Sequence, residues 1–170
     1  MNFLELAKDR YSVRKFSDKP VEQEKIEQIL EAGLVSPTAC NNQPFKIWVI
    51  ESEEALAKIR EVTPNHFGAS VIFAVGGNLN EGWVRKLDQK SFVDVDASIV
   101  ATQMMLAIHD LGLGTTWVGW FDNDKLVERF PEMKDYSMVA LFPVGYPAED
   151  SAPAPYHTTY RPYEEVVKKL

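Results

Sequence analysis

The alternation of apolar and polar positions changes period several times along this chain, and each change marks an element. Residues 2–9 carry Phe3, Leu6 and Ala7 at helical spacing behind Asn2, which predicts a short helix with Asn2 as its N-cap. In "DKPVEQEKIEQILEAG" the apolar positions Val21, Ile26, Ile29 and Leu30 again sit near a helical repeat. Glutamates crowd its start, and Gly33 is the expected stop. "FKIWVIE" alternates and is β-rich, so it predicts a strand. "SEEALAKIREV" returns to helical spacing behind a capping serine. "ASVIFAVGG" is a short apolar run rich in Val, Ile and Phe, which predicts a central strand.

The stretch from about Asp94 to Leu111 has almost no polar face. Val95, Ile99, Val100, Met104, Met105, Leu106 and Ile108 surround the predicted helix, which implies burial in a core or at a subunit interface. Gly112 is its expected end. "TTWVGW" then predicts a strand or its tail, "NDKLVERF" a short helix, and "SMVALFPVGYP" a last buried strand. The proline-rich remainder is expected to run over the surface, ending in a short helix, and is long enough to reach another subunit. Together these elements predict one domain over residues 1–170: an α+β or α/β sandwich, with helices layered on a sheet of about four main strands.

Composition narrows the function classes. The net charge of −7 argues against a broad nucleic-acid surface, although it leaves room for one basic pocket. Cys40 is the single cysteine, so no intramolecular disulfide can form, and a cytoplasmic setting is expected. Burial is the expected fate of its side chain. His66, His109 and His157 show no metal-ligand spacing, so no metal site is expected. Neither a signal peptide nor a membrane span is visible.

Three stretches carry candidate chemistry. "RYSVRKF" gathers Arg10, Arg14 and Lys15 around Ser12, either as a solvated turn or as a grip for an anion such as phosphate. "SPTACNNQPF" is a polar loop between prolines. Its Asn and Gln amides offer donors and acceptors to a heterocycle, or simply join a helix to a strand. "GLGTT" follows a helix and precedes a strand, the reverse of a dinucleotide-binding loop, so a Rossmann reading is rejected. No Gly-x-Ser-x-Gly elbow is present, and Asp94 and Asp96 fit helix-start capping better than a catalytic pair. Asn65 stands in no motif specific enough to assign it.

"RYSVRKF", "SPTACNNQPF", "DASIVATQMMLAIHDLGLGTTWVG" and "VGYP…YRPYEEV", in that order from Arg10 to Val166, resemble the nitroreductase family of FMN-dependent oxidoreductases. The resemblance implies a three-layer α/β/α sandwich with a mainly antiparallel sheet, in an intertwined homodimer with FMN at the subunit interface. It implies that Arg10 and Ser12 meet the phosphate, with Arg161 as a second phosphate arginine. Arg14 would lie at the pyrimidine edge of the flavin, and Tyr11 would lend its backbone. Pro37, Thr38, Ala39, Asn41 and Gln43 would come from the other subunit. Trp117, Val118 and Gly119 would run past the ring, with backbone N–H groups reaching N5.

The implied activity is ping-pong electron transfer from NADH or NADPH to a small acceptor such as a nitroaromatic or quinone. The flavin N5 carries the chemistry, and no side chain is catalytic. Two alternatives stay open: a flavin-binding module or sensor without steady turnover, and a relative performing another flavin reaction, such as dehalogenation or a biosynthetic oxidation. Many relatives have a basic or small residue where Tyr11 stands, Trp117 is bulky enough to restrict or stack on the ring, and the short segment between "AVGGN" and Asp94 leaves little room for substrate-capping insertions.

Overall fold

The structure, a computed structural model, describes residues 2–170. Its helices are α1 (Phe3–Asp9), α2 (Gln23–Leu34), α3 (Glu53–Val62), α4 (Val93–Asp110), α5 (Asn123–Arg129) and α6 (Tyr163–Val166). Its strands are β1 (Phe45–Ile50), β2 (Val71–Asn78), β3 (Val84–Arg85), β4 (Lys90–Ser91), β5 (Gly114–Thr115) and β6 (Tyr136–Gly145). The main sheet has the order β1-β2-β6-β5, and every ladder in it is antiparallel. The β3–β4 pair is a small separate hairpin, too short to leave a periodic signal in the sequence.

The sheet is covered on both faces because its central strands are apolar on both. Val71, Phe73 and Val75 of β2 pack with Ile26 and Ile29 of α2 and Val100, Met104 and Ile108 of α4. Ile72 and Ala74 point the other way, onto Leu56 and Ile59 of α3 and Leu126 of α5. The period of two in β2 thus sorts one apolar run into two cores, which makes the expected three-layer sandwich.

Local chemistry sets the helix ends. Asn2 caps α1 as expected: its side chain accepts from the Glu5 N–H while the Glu5 carboxylate accepts from the Asn2 N–H. No residue of α1 is buried, however, and Phe3 is 70% exposed. Ser52 caps α3 through the Ala55 N–H. Gly112, at φ +74°, ends α4 in a conformation that favours glycine. Gly33 corrects the expectation. It lies inside α2 and is there for packing, since a Cβ would stand 2.8 Å from Ile47 Cδ1 and 3.2 Å from the Met104 side chain.

Glu22 ties the start of α2 to the end of β6. Its carboxylate accepts from the Tyr146 hydroxyl at 2.7 and 3.0 Å, which, with Lys19 alongside, holds its pKa down at about 2. A lowered folded-state pKa stabilises the protein fully above the ordinary value and loses that effect as pH falls toward the folded value. Glu22→Gln should therefore flatten the fall in Tm between about pH 5 and pH 2.5 relative to the wild type, more visibly at low salt. An acid limb of unchanged steepness would show that the contact contributes nothing.

Candidate functional site

Residues 12–17 form an extra edge beside β5. The Val13 N–H donates to the Thr115 carbonyl at 2.9 Å, and Ser12 bridges Thr115 in parallel. Val13 is buried against Gly114, where a Cβ would come within 2.5 Å of Val13 Cγ2, so only glycine lets the two segments approach this closely. Further on, Lys15 pairs with Asp150, and the Tyr11 hydroxyl donates to Ser151 Oγ at 3.2 Å. The "RYSVRKF" stretch is therefore pinned between β5 and the chain that follows β6.

Arg14 joins two cavities. One, of about 290 Å³, lies among Ser12, Arg14, Lys15, Asp150 and Ser151. The other, of about 150 Å³, lies among Arg14, Asn65, Phe67 and residues 116–120. The Arg14 guanidinium donates to the Ser12 carbonyl at 3.2 Å and has no acidic partner among the described residues. Arg10 is half-buried, and its side chain makes no hydrogen bond or ion pair among the described residues. Burial lowers its pKa below the usual value, yet a guanidinium remains protonated. A half-buried cation without a counter-charge favours an anion beside it.

The second cavity is built by one buried hydroxyl. Thr63 donates to the Trp120 carbonyl at 2.6 Å and accepts from the Asn65 N–H at 3.1 Å, tying the turn at 63–68 to the stretch after β5. Trp117 is committed inward. Its indole N–H donates to the Val139 carbonyl at 3.1 Å and its ring meets Phe142 edge-on, so its backbone forms the wall. Val118 corrects one expectation: its N–H is spent on the Leu141 carbonyl. The backbone N–H groups of Trp117 and Gly119 donate to nothing among the described residues, so both are free donors in that stretch.

The polar loop stands elsewhere. Thr38 Oγ1 accepts from the Gln43 N–H, and Gln43 Nε2 donates to Asn41 Oδ1, each at 3.0 Å. Pro37, Asn41 and Gln43 are exposed, as is Cys40, contrary to the expected burial of its thiol. The loop enters β1 at Phe45, which pairs with Gly77 at the far end of β2, whereas Ser12 reaches Val71 at the near end through Thr115 and Val144. Six residues of strand and four strand spacings place the two clusters about 20 Å apart along the sheet and about 19 Å across it. They occupy opposite corners, so one chain does not bring them to a common ligand. Arg161 is also apart, on the exposed tail, where its guanidinium donates to Glu165 at 3.1 and 3.3 Å.

Asp96 makes a contact to the polar loop that sequence reasoning missed. It does not cap α4, whose N-cap is Phe92; it is buried, and its Oδ1 accepts from the Ala39 N–H at 2.9 Å. Phe67, Trp120 and the Asp150–Ser151 pair also escaped, because each reaches the site only through a tertiary turn. The outer face of α4 is left bare. Phe3, Val95, Ser98, Ile99, Thr102 and Leu106 line an apolar groove of about 910 Å³ there.

With this geometry in place, the comparisons with known proteins are specific. The family model described as "Nitroreductase family" matches residues 7–70 and 63–146. The chain belongs to the nitroreductase family. A Methanothermobacter thermautotrophicus relative named "Putative NADH dehydrogenase/NAD(P)H nitroreductase" is 32% identical over 164 residues, covering 88% of this chain and 80% of its own length. A nitroreductase family protein from Clostridium difficile, known as a crystal structure, superposes with a TM-score of 0.92 at 35% identity, over 99% of this chain and 98% of the other. A Desulfovibrio desulfuricans structure described as "a putative nitroreductase in complex with fmn" matches with a TM-score of 0.79 at 25% identity, over 100% and 98% of the two chains. The α+β nitroreductase fold with its mainly antiparallel sheet is thus shared across the whole chain. No helix among the described residues is long and apolar enough to cross a membrane.

Proposed function

We propose that two copies of this chain form a homodimer that binds FMN at the subunit interface and passes electrons from NADH or NADPH to a small oxidised acceptor, such as a nitroaromatic or a quinone. The observation that carries this reading is Arg10: a half-buried guanidinium with no acidic partner among the described residues, two residues from Ser12 and the cavity that Arg14 also lines. Arg10 and Ser12 suit a phosphate, by a two-pronged ionic grip and a hydroxyl donor. Arg14 lines both cavities, which suits the pyrimidine edge of a ring whose phosphate lies in the first cavity. A fixed cation there favours negative charge on that edge. Gly119 offers its N–H along the same wall.

The opposite-corner placement of Thr38, Asn41 and Gln43 supports a dimeric site, because a second copy can bring its loop where this chain cannot. The bare face of α4, 70% exposed Phe3, and tail residues Tyr156 and Tyr160 at 81% and 73% exposed supply apolar surface for such a partner. Arg161 would join the phosphate by exchanging Glu165 for it.

When bound, FMN supplies hydride acceptance and release at its N5. The protein residues bind and orient; none is asked to act as nucleophile or base. The cavity at residues 116–120 is open, so reductant and acceptor use it in turn, which gives ping-pong kinetics. The purified protein should be yellow, bleach with NADH or NADPH, and recolour with a nitroaromatic or quinone. A yellow protein inert to both nucleotides would favour a binding module, and a colourless protein that ignores added FMN would overturn the reading.

A further inference from the structure

The loop before β1 holds an unfavourable backbone. Cys40, Asn41 and Gln43 have φ of 53°, 54° and 51°, in the left-handed region that side chains other than glycine and asparagine rarely adopt. Such a conformation persists only where its surroundings impose it. Two side-chain bonds tie residues 37–43 to distant parts of the chain. One, from Asn42 Nδ2 to the Glu81 carbonyl, is 3.4 Å long and exposed. The other is the 2.9 Å bond from the Ala39 N–H to Asp96 Oδ1, and Asp96 is 1% exposed.

Asp96 is a costly residue to keep there. Its Oδ2 is also buried and has no partner among the described residues. A buried carboxylate with an unpaired oxygen destabilises a fold, and an apolar side chain on this face of α4 would avoid that. The start of the helix softens the cost through its dipole but gives no reason for the carboxylate. The one role visible for it is to hold Ala39.

We propose that Asp96 is a positioning residue for the cofactor: by fixing Ala39 it sets the loop that presents Thr38, Asn41 and Gln43 to a flavin shared with a second copy. The flavin part rests on the FMN reading above; the hold on the loop does not. The buried carboxylate accepts a backbone N–H with charge assistance, and the left-handed residues that follow take their direction from that anchored point.

The test uses the dimeric, full-length protein with Asp96→Ala and Asp96→Asn. Asp96→Ala should weaken FMN binding at least tenfold, alter the visible circular dichroism of the flavin even at saturation, and speed amide exchange at Ala39 at least tenfold in flavin-free protein. Asp96→Asn keeps an oxygen that can accept from Ala39, so it should restore most of all three. Ala39→Pro removes the donor without emptying the buried position. The extended Thr38, at φ −133° and ψ 160°, accommodates a following proline. It should lose FMN affinity as Asp96→Ala does, and it stands in if Asp96→Ala fails to fold. Wild-type affinity and dichroism in Asp96→Ala or Ala39→Pro, or equal losses in Asp96→Asn and Asp96→Ala, would overturn the proposal. If the wild-type protein ignores FMN, the flavin reading fails. Exchange at Ala39 then decides the hold alone, and an unchanged rate in Asp96→Ala overturns that as well.

Discussion

Arg10→Ala is expected to weaken FMN binding by roughly ten- to a hundredfold, about 1.5–3 kcal/mol, the scale of a hydrogen bond to a charged group. The expectation follows from what Arg10 lacks. Its guanidinium is half-buried, its pKa is lowered by that burial, and it has no carboxylate to pair with among the described residues. Removing such a cation costs the folded chain little, because no internal ion pair breaks. Its effect should appear only when an anion is present. Riboflavin, which has the same ring and side chain without the phosphate, should therefore bind wild type and Arg10→Ala almost equally. Titration of both ligands by flavin fluorescence separates the outcomes. Equal FMN affinity in the two proteins would remove the phosphate role, and a matching loss for riboflavin would place Arg10 against another part of the ligand.

Ile99→Asp should dissociate the proposed homodimer and take FMN binding with it. Ile99 lies on the outer face of α4 in the apolar groove, away from Val100 and Met104, which serve the core. In the isolated chain a carboxylate there can reach water, so the subunit should keep its secondary structure. Across an interface the same carboxylate would be desolvated without a partner, at a cost of several kcal/mol. A dimer dissociation constant raised at least a hundredfold, read by analytical ultracentrifugation, is the expected result. FMN affinity should fall in parallel, since Thr38, Asn41 and Gln43 lie some 20 Å from Arg14 both along the sheet and across it within one chain. An undisturbed dimer would mean that subunits meet through another face. A monomer that still binds FMN tightly would mean that one chain completes the site.

Most of the fold could be read from the order of residues because most of it is encoded locally. Asn2 and Ser52 cap helices with their own side chains, Gly112 ends α4 with its own backbone, and β2 advertises burial on both faces by apolar residues at every position from Val71 to Val75. Gly33 misled for a related reason. A glycine near a helix end looks like a stop, and only the approach of Ile47 and Met104 reveals it as a packing contact.

The candidate site was legible in part. The cationic stretch around Ser12 and the amide-rich loop stand out by composition, and the family resemblance assigns them. Asp96 could not be recognised in the same way, since an acid in the first turns of a helix has a sufficient local explanation in the dipole. Its contact with Ala39 lies 57 residues away. Thr63 likewise became visible only when Trp120 and Asn65 met around its hydroxyl.

By itself, then, the sequence determined the main helices and strands, though not the β3–β4 hairpin, which faces are apolar, and the membership of the nitroreductase family that its motifs announce. Tertiary structure alone decided that Arg10 is left half-buried without a counter-charge among the described residues, that Val118 spends its N–H while Gly119 does not, and that the two polar clusters sit at opposite corners of the sheet. The physical reason is range. Capping, periodicity and turn preference act within a few residues, whereas burial, charge pairing and hydrogen-bond satisfaction depend on which distant segments the packed sheet brings together.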